Sequence, residues 1–150
     1  MYTKAFRTVL FFLPCFLFGN PPKSFHDIKI VTKQQVIWKE VEQNLLEGFP
    51  KKGEEFFYRF RICKKFPTQA EFQEIVDVFK IKDRIPQVRS FESNLFGKVH
   101  EIKTEMDWKG NSIETKVYVF SWNEKCYMIS IFEEKELQSK FDFGVALKKE

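Results

Sequence analysis

Residues Val99–Phe132 read VHEIKTEMDWKGNSIETKVYVFSWNEKCYMISIF, and this stretch decides the fold. His100, Ile102, Thr104, Met106 and Trp108 fall at every second position. Side chains repeating with period two belong to one face of a strand, because successive Cβ atoms point to opposite sides of a pleated backbone. Lys109-Gly110-Asn111-Ser112 supplies turn residues, after which Ile113, Thr115, Val117, Val119 and Ser121 resume the alternation. With Trp108 opposite Ile113, Met106 meets Thr115, Thr104 meets Val117, Ile102 meets Val119, and Glu105 meets Lys116 on the reverse side. A second turn at Asn123-Glu124 sets Ser121 opposite Cys126, Val119 opposite Met128, Val117 opposite Ser130 and Thr115 opposite Phe132. Three strands thus form an antiparallel meander.

Upstream, Thr68 and Glu71 make a capping box, and Phe72, Ile75, Val76 and Phe79 follow at i, i+3, i+4, i+7, the spacing of an amphipathic helix. Before it, Phe56, Tyr58, Phe60 and Ile62 alternate with Arg59, Arg61 and Cys63, which predicts a half-buried strand within Glu54–Lys65. Earlier still, Thr32 and Gln35 have capping-box spacing, and Val36, Ile37, Val41, Leu45 and Leu46 make an apolar stripe at helical spacing, with Gly48 and Pro50 placed to end it. This predicts another helix. Asn20–Asp27 is a Pro-containing spacer, Ile28–Val31 is a short edge strand, and the alternation of Phe141, Phe143, Val145 and Leu147 predicts a final strand. The whole reads as an α+β fold: an antiparallel sheet, made of a meander of three or more strands plus flanking strands, packed against two amphipathic helices.

The first nineteen residues have a different character. Lys4 and Arg7 precede TVLFFLPCFLF (Thr8–Phe18), and Gly19 provides a small residue for cleavage. As a helix the apolar run reaches only about 17 Å against roughly 30 Å of hydrocarbon, which suits a cleavable leader better than an anchor. Residues 1–19 are thus expected to be a signal peptide and 20–150 a single α+β domain that is exported, to a periplasm, a cell envelope or the medium. The run ending at Cys15 resembles the lipobox of lipoproteins but has Pro14 where a small residue is expected. Membrane contact is expected only if this segment is retained or Cys15 is lipidated.

The formal net charge of +4 falls to +2 without Lys4 and Arg7, 23 basic against 21 acidic side chains. So small an excess, mixed in sign along the chain, gives no footprint for nucleic acid. Arg59, Arg61, Lys64 and Lys65 form a local basic strip that a solvated strand face explains. No G-x-S-x-G, H-E-x-x-H, Walker or dinucleotide fingerprint occurs, and His26 and His100 lack ligand spacing, so no metal or cofactor is expected.

The reverse face of the meander is aromatic: Tyr118, Phe120 and Trp122 oppose Ile129, Tyr127 and Lys125. A sheet already packed on one face should be polar on the other, so something covers this one. The cover is either internal, from the first helix, the C-terminal strand or a curved sheet edge, or it is a partner protein or small apolar ligand held by Tyr118, Phe120, Trp122 and Tyr127. The expected function is an exported, non-enzymatic binding protein. The alternatives are a small hydrolase or isomerase using His100 with a neighbouring acid inside a curved sheet, and a structural envelope protein without a ligand. Cys63 and Cys126 are a possible disulfide in an oxidising compartment. Their strand phase counts against it, since Cys126 points with the core of the meander and Cys63 with Arg59 and Arg61.

Overall fold

Two tight turns set the central hairpins. The computed structural model describes residues 20–51, 55–80, 84–137 and 140–150; the leader and Cys15 lie outside the described residues. Strands β7 (Gly97–Trp108), β8 (Asn111–Trp122) and β9 (Lys125–Glu134) are the predicted meander. Asn123 and Glu124 both take positive φ, 47° and 60°, as a two-residue turn of matching twist requires, and the β8–β9 register is the one read from the sequence. The β7–β8 register is not. Lys109 (φ 49°) and Gly110 (φ 84°) form the whole turn, so Trp108 faces Asn111, Met106 faces Ile113 and Ile102 faces Val117. The slip of two residues keeps every side chain on its face, which is why alternation alone could not detect it.

The helix expected to start at Thr32 is a β-hairpin instead, formed by β3 (Val36–Glu42) and β4 (Leu45–Pro50). Thr32 caps nothing; its hydroxyl donates to the Gln34 carbonyl. Neighbouring apolar residues such as Val36-Ile37 and Leu45-Leu46 mimic a helical stripe, but here they serve opposite sides of one sheet. Gly48 is a strand residue pressed under Trp38, where a Cβ would lie 2.6 Å from the indole. β4 pairs with β5 (Phe56–Cys63), and β6 (Gln87–Ser93) pairs with β7, completing a seven-stranded antiparallel sheet of order β3-β4-β5-β9-β8-β7-β6.

A second, three-stranded sheet is built from β1 (Lys23–Phe25), β2 (Ile28–Ile30) and β10 (Leu147–Lys149), with β2 central rather than at an edge. The predicted final strand is mostly replaced by α2, a single turn over Phe143–Ala146 that Asp142 caps by accepting from the Gly144 N–H. The predicted helix after Thr68 is present as α1 (Gln69–Val78), with both capping-box hydrogen bonds formed. The α+β expectation with two packed amphipathic helices is therefore corrected: the chain is predominantly β, with two sheets and one helix longer than a single turn among the described residues.

Both faces of the large sheet carry a core. On one, Leu46, Phe56, Tyr58, Phe60, Tyr118, Phe120, Tyr127, Ile129 and Ile131 meet Phe25, Ile28 and Ile30 of the small sheet and Phe141, Phe143, Ala146 and Leu147 of the C-terminal segment. On the other, α1 lays Phe72, Ile75, Val76 and Phe79 over Ile102, Val117, Val119, Cys126 and Met128.

Candidate functional site

Three of the four aromatic residues singled out by sequence are buried within the chain. Tyr118, Phe120 and Tyr127 retain 3%, 0% and 0% of their exposure. Phe120 stacks on Tyr127 with centroids 5.2 Å apart and meets Phe143 edge-on at 5.3 Å, and Tyr118 lies 4.9 Å from Phe143. Trp122 is half-buried at the margin, edge-on to Phe96, with the Lys149 ammonium 4.0 Å from its ring centre. Burial pushes the Tyr127 phenol up to about 12, and raises that of Tyr118 together with the neighbouring Glu101 carboxylate.

The helix-bearing face differs. From β3 to β7 one row of that face reads Ile37, Phe49, Phe57, Phe132, Thr115, Thr104, and the next, beyond it, includes Ile113 and Met106. α1 packs on the opposite end of the face, over Ile102, Val117 and Val119; in these rows Thr104, Thr115 and Ile113 are buried and Phe57, Phe132 and Met106 half-buried. Between them lies an open hollow of about 460 Å³, walled by Phe57, Phe132, Met106, Trp108 and Ile113, with Pro50, Glu55, Phe56 and Arg59 at its borders. Phe57 lies 5.2 Å from Phe49 and 5.8 Å from Phe132, and Trp108 is 55% exposed. The Arg59 guanidinium sits 5.2 Å over Phe57 and donates from Nε and Nη2 to Glu47 Oε1 at 3.0 and 2.8 Å. Thr115, beside Phe132 on the same face, has the one buried side-chain oxygen among the described residues with no hydrogen-bond partner. The sequence signal for this site is the doublet Phe56-Phe57: it gives β5 an aromatic on each face where a half-buried strand needs one.

A second cleft, of about 630 Å³, is polar and lies over the aromatic face, bordered by Lys33, Arg89, Glu101, Lys116, Tyr118 and Lys140. Its charges answer one another. Arg89 donates to both oxygens of the buried Glu101 carboxylate, at 2.6 and 3.1 Å. Glu114, two rows away, pairs with Lys103 and Lys116 at 2.8 Å each and with Lys140 at 3.5 Å. Burial alone would raise its pKa; the lysines overcome this and hold it at about 2. Neighbouring Glu133 shifts the other way, raised by burial although Tyr58 and the Phe141 N–H donate to it at 2.6 and 2.7 Å.

Among the described residues His100 meets Ser90, Phe66 and Phe72 rather than an acid. Its Nδ1 lies 2.9 Å from Ser90 Oγ, its ring packs near Phe66 and Phe72, and burial and Lys98 both lower its pKa. Glu101, adjacent in sequence, points to the opposite face and is held by Arg89. His26 Nε2 lies 3.0 Å from the Gln43 carbonyl. Of the basic strip, Arg59 pairs with Glu47 and Lys65 with Glu71.

Cys63 and Cys126 are directly opposite in the β5–β9 ladder, and both are free thiols. This corrects the phase argument against their pairing. Cys63 does share a face with Arg59 and Arg61, and Cys126 does share one with Val117 and Val119, but these are the same face. β5 directs Phe56, Tyr58 and Phe60 to the aromatic side instead.

No family model matches the chain, and no curated protein sequence matches it.

Proposed function

We propose that this protein is an exported, non-enzymatic binder of a small apolar ligand, and that the ligand occupies the hollow on the helix-bearing face of the sheet. The observation that carries the reading is an open apolar hollow lined by Phe57, Met106, Trp108, Ile113 and Phe132, outside the patch on which α1 packs. Its volume of about 460 Å³ falls in the range of small-molecule sites, roughly 300–1,000 Å³, and its composition follows their pattern of apolar walls with a few polar groups. Glu55 and Arg59 are the charged residues at its border, placed to meet a polar end of the ligand. A small molecule suits a recess of this size better than a protein, which needs a broad surface of about 800 Å² per partner. Export rests on the leader read from Met1 to Gly19, and the aromatic face serves this reading as the rigid backing of the sheet.

The test is titration of the purified protein with the apolar fluorophore N-phenyl-1-naphthylamine, following its emission. Saturable one-to-one binding is expected. Phe132→Ser and Phe57→Ser, each removing one aromatic wall, should weaken it by roughly tenfold or more, with circular dichroism confirming the fold. Emission that never saturates, or equal affinity in both folded variants, would overturn the proposal.

A further inference from the structure

We propose that Cys63 and Cys126 form a thiol–disulfide exchange site, converted by a disulfide-bearing partner molecule into a bond that staples β5 to β9 beneath α1. The site is separate from the apolar hollow and stands or falls independently of it.

The ladder supplies the geometry. The Glu134 N–H donates to the Glu55 carbonyl at 3.0 Å, and in the β5–β9 register residue 55 lies opposite residue 134. Hydrogen-bonded pairs of an antiparallel ladder recur at every second position, so 57/132, 59/130, 61/128 and 63/126 belong to the same class. Cα atoms in such pairs are about 5.5 Å apart, within the roughly 4.4–6.8 Å that disulfides span. Directly opposed residues also share a face, so both thiols point to the side that α1 covers. Cβ atoms of such pairs lie about 5 Å apart against roughly 3.5–4.5 Å in a disulfide, so the bond forms by a small local approach of the two strands at this one rung.

The surroundings give the two thiols different parts. Cys126 is 5% exposed, within the cluster of Val76, Ile102, Val117 and Val119, whereas Cys63 is only half-buried, at the end of β5 beside exposed Lys64 and Lys65. The Cys126 thiol hydrogen-bonds to Cys63 and lowers its pKa; the Cys63 backbone N–H and the charge of Arg61 act in the same direction against burial. Cys126 is shifted upward by the same pairing and by its burial. Reactivity of a cysteine follows its thiolate character and its access, and both favour Cys63 as the point of entry.

The chemistry balances with a small disulfide as oxidant. Cys63 thiolate attacks one sulfur of the disulfide, the old sulfur–sulfur bond breaks, and one thiolate leaves. Cys126 then gives up its proton and attacks Cys63 Sγ, and the second thiolate leaves. Two protein thiols have been oxidised, one external disulfide has been reduced to two thiols, and the two protons lost from the protein reside on those products. The resulting link joins strands separated by a long stretch of chain, which constrains the unfolded state strongly.

The experiment equilibrates the purified wild-type protein in buffers of rising oxidised-to-reduced glutathione ratio, traps free thiols with iodoacetamide and measures intact mass. Expected is a single transition from a species alkylated at Cys63 and Cys126 to one alkylated at neither, two hydrogens lighter than the reduced chain before alkylation, with a melting midpoint higher by about 5 °C or more. In native buffer, Cys126→Ser should accumulate a stable mixed disulfide with glutathione at Cys63, and Cys63→Ser should not. Both thiols alkylated at every ratio, glutathione on both cysteines without an internal bond, or an oxidised form that melts below the reduced one would overturn the proposal. The wild-type measurement decides it even if a single variant fails to fold.

Discussion

The two faces of the large sheet come from the same strands, yet one is closed and the other is half open. On the aromatic face, the three-stranded sheet and the segment from Phe141 to Leu147 cover the rings of Tyr58, Phe60, Tyr118, Phe120 and Tyr127. On the opposite face a ten-residue helix covers the Val117–Val119 end, and Phe57, Met106, Trp108 and Phe132 border a hollow. The difference teaches that an aromatic face need not be the binding face. Large rings contribute most to stability where other rings enclose them, and they are available to a ligand only where the cover stops short.

Substitutions test that contrast. Phe120→Ala removes a fully buried ring stacked on Tyr127, and a loss of about 3–5 kcal/mol is expected in urea unfolding. Phe57→Ala, on the half-open face, should cost about 1 kcal/mol, since its ring is only partly withdrawn from water. Equal losses at the two positions would erase the contrast. Gly48→Ala comes next in size. Its new Cβ would lie 2.6 Å from the Trp38 ring and 2.8 Å from Val36, so a cost of about 1–3 kcal/mol is expected from overpacking of the closed face.

The smallest effect is a pH dependence. Glu133 has a raised pKa in the folded protein, so its contribution to stability is present below the ordinary carboxylate pKa and is lost as pH rises through the folded value. Glu114 has a depressed one, so its contribution is present above the ordinary carboxylate pKa and is lost as pH falls toward about 2. Relative to the wild type, Glu133→Gln should therefore gain stability as pH rises from about 4 to about 8, while Glu114→Gln should show a deficit that shrinks under acid. Urea midpoints from about pH 2 to about pH 8 measure both. Parallel curves for Glu133→Gln and the wild type would show that the closed face does not penalise the buried carboxylate.

Two local instructions are legible in the sequence, whereas the equally local turn at Lys109-Gly110 is not. Thr68 and Glu71 close their capping box within one turn of chain, and the Asn123-Glu124 turn fixes the β8–β9 register by itself. The misread helix at Val36–Leu46 shows the limit. β3 sends Val36 and Trp38 to the aromatic core but carries Ile37, 53% exposed, on its other side, and apolar residues on both sides of a strand blur the alternation that identifies it. The hollow was hidden for the same reason: Met106 and Ile113 carry the alternation of a packed face, and nothing in their own segment says that α1 ends before reaching them. The cysteine pair is equally hidden, because β5 turns its apolar row toward the aromatic core and Cys63 toward the second core, where Cys126 lies.

From the amino-acid order alone came the meander, its alternating faces, the α1 helix and the presence of an aromatic surface that something must cover. These depend on neighbours a few residues apart, whose spacing is written directly in the chain. Only the tertiary structure decided that the C-terminal segment and the small sheet supply the cover, that a hairpin replaces the first helix, and that Cys63 faces Cys126. Those outcomes depend on which distant segment buries which face, a competition among long-range contacts that no local period encodes.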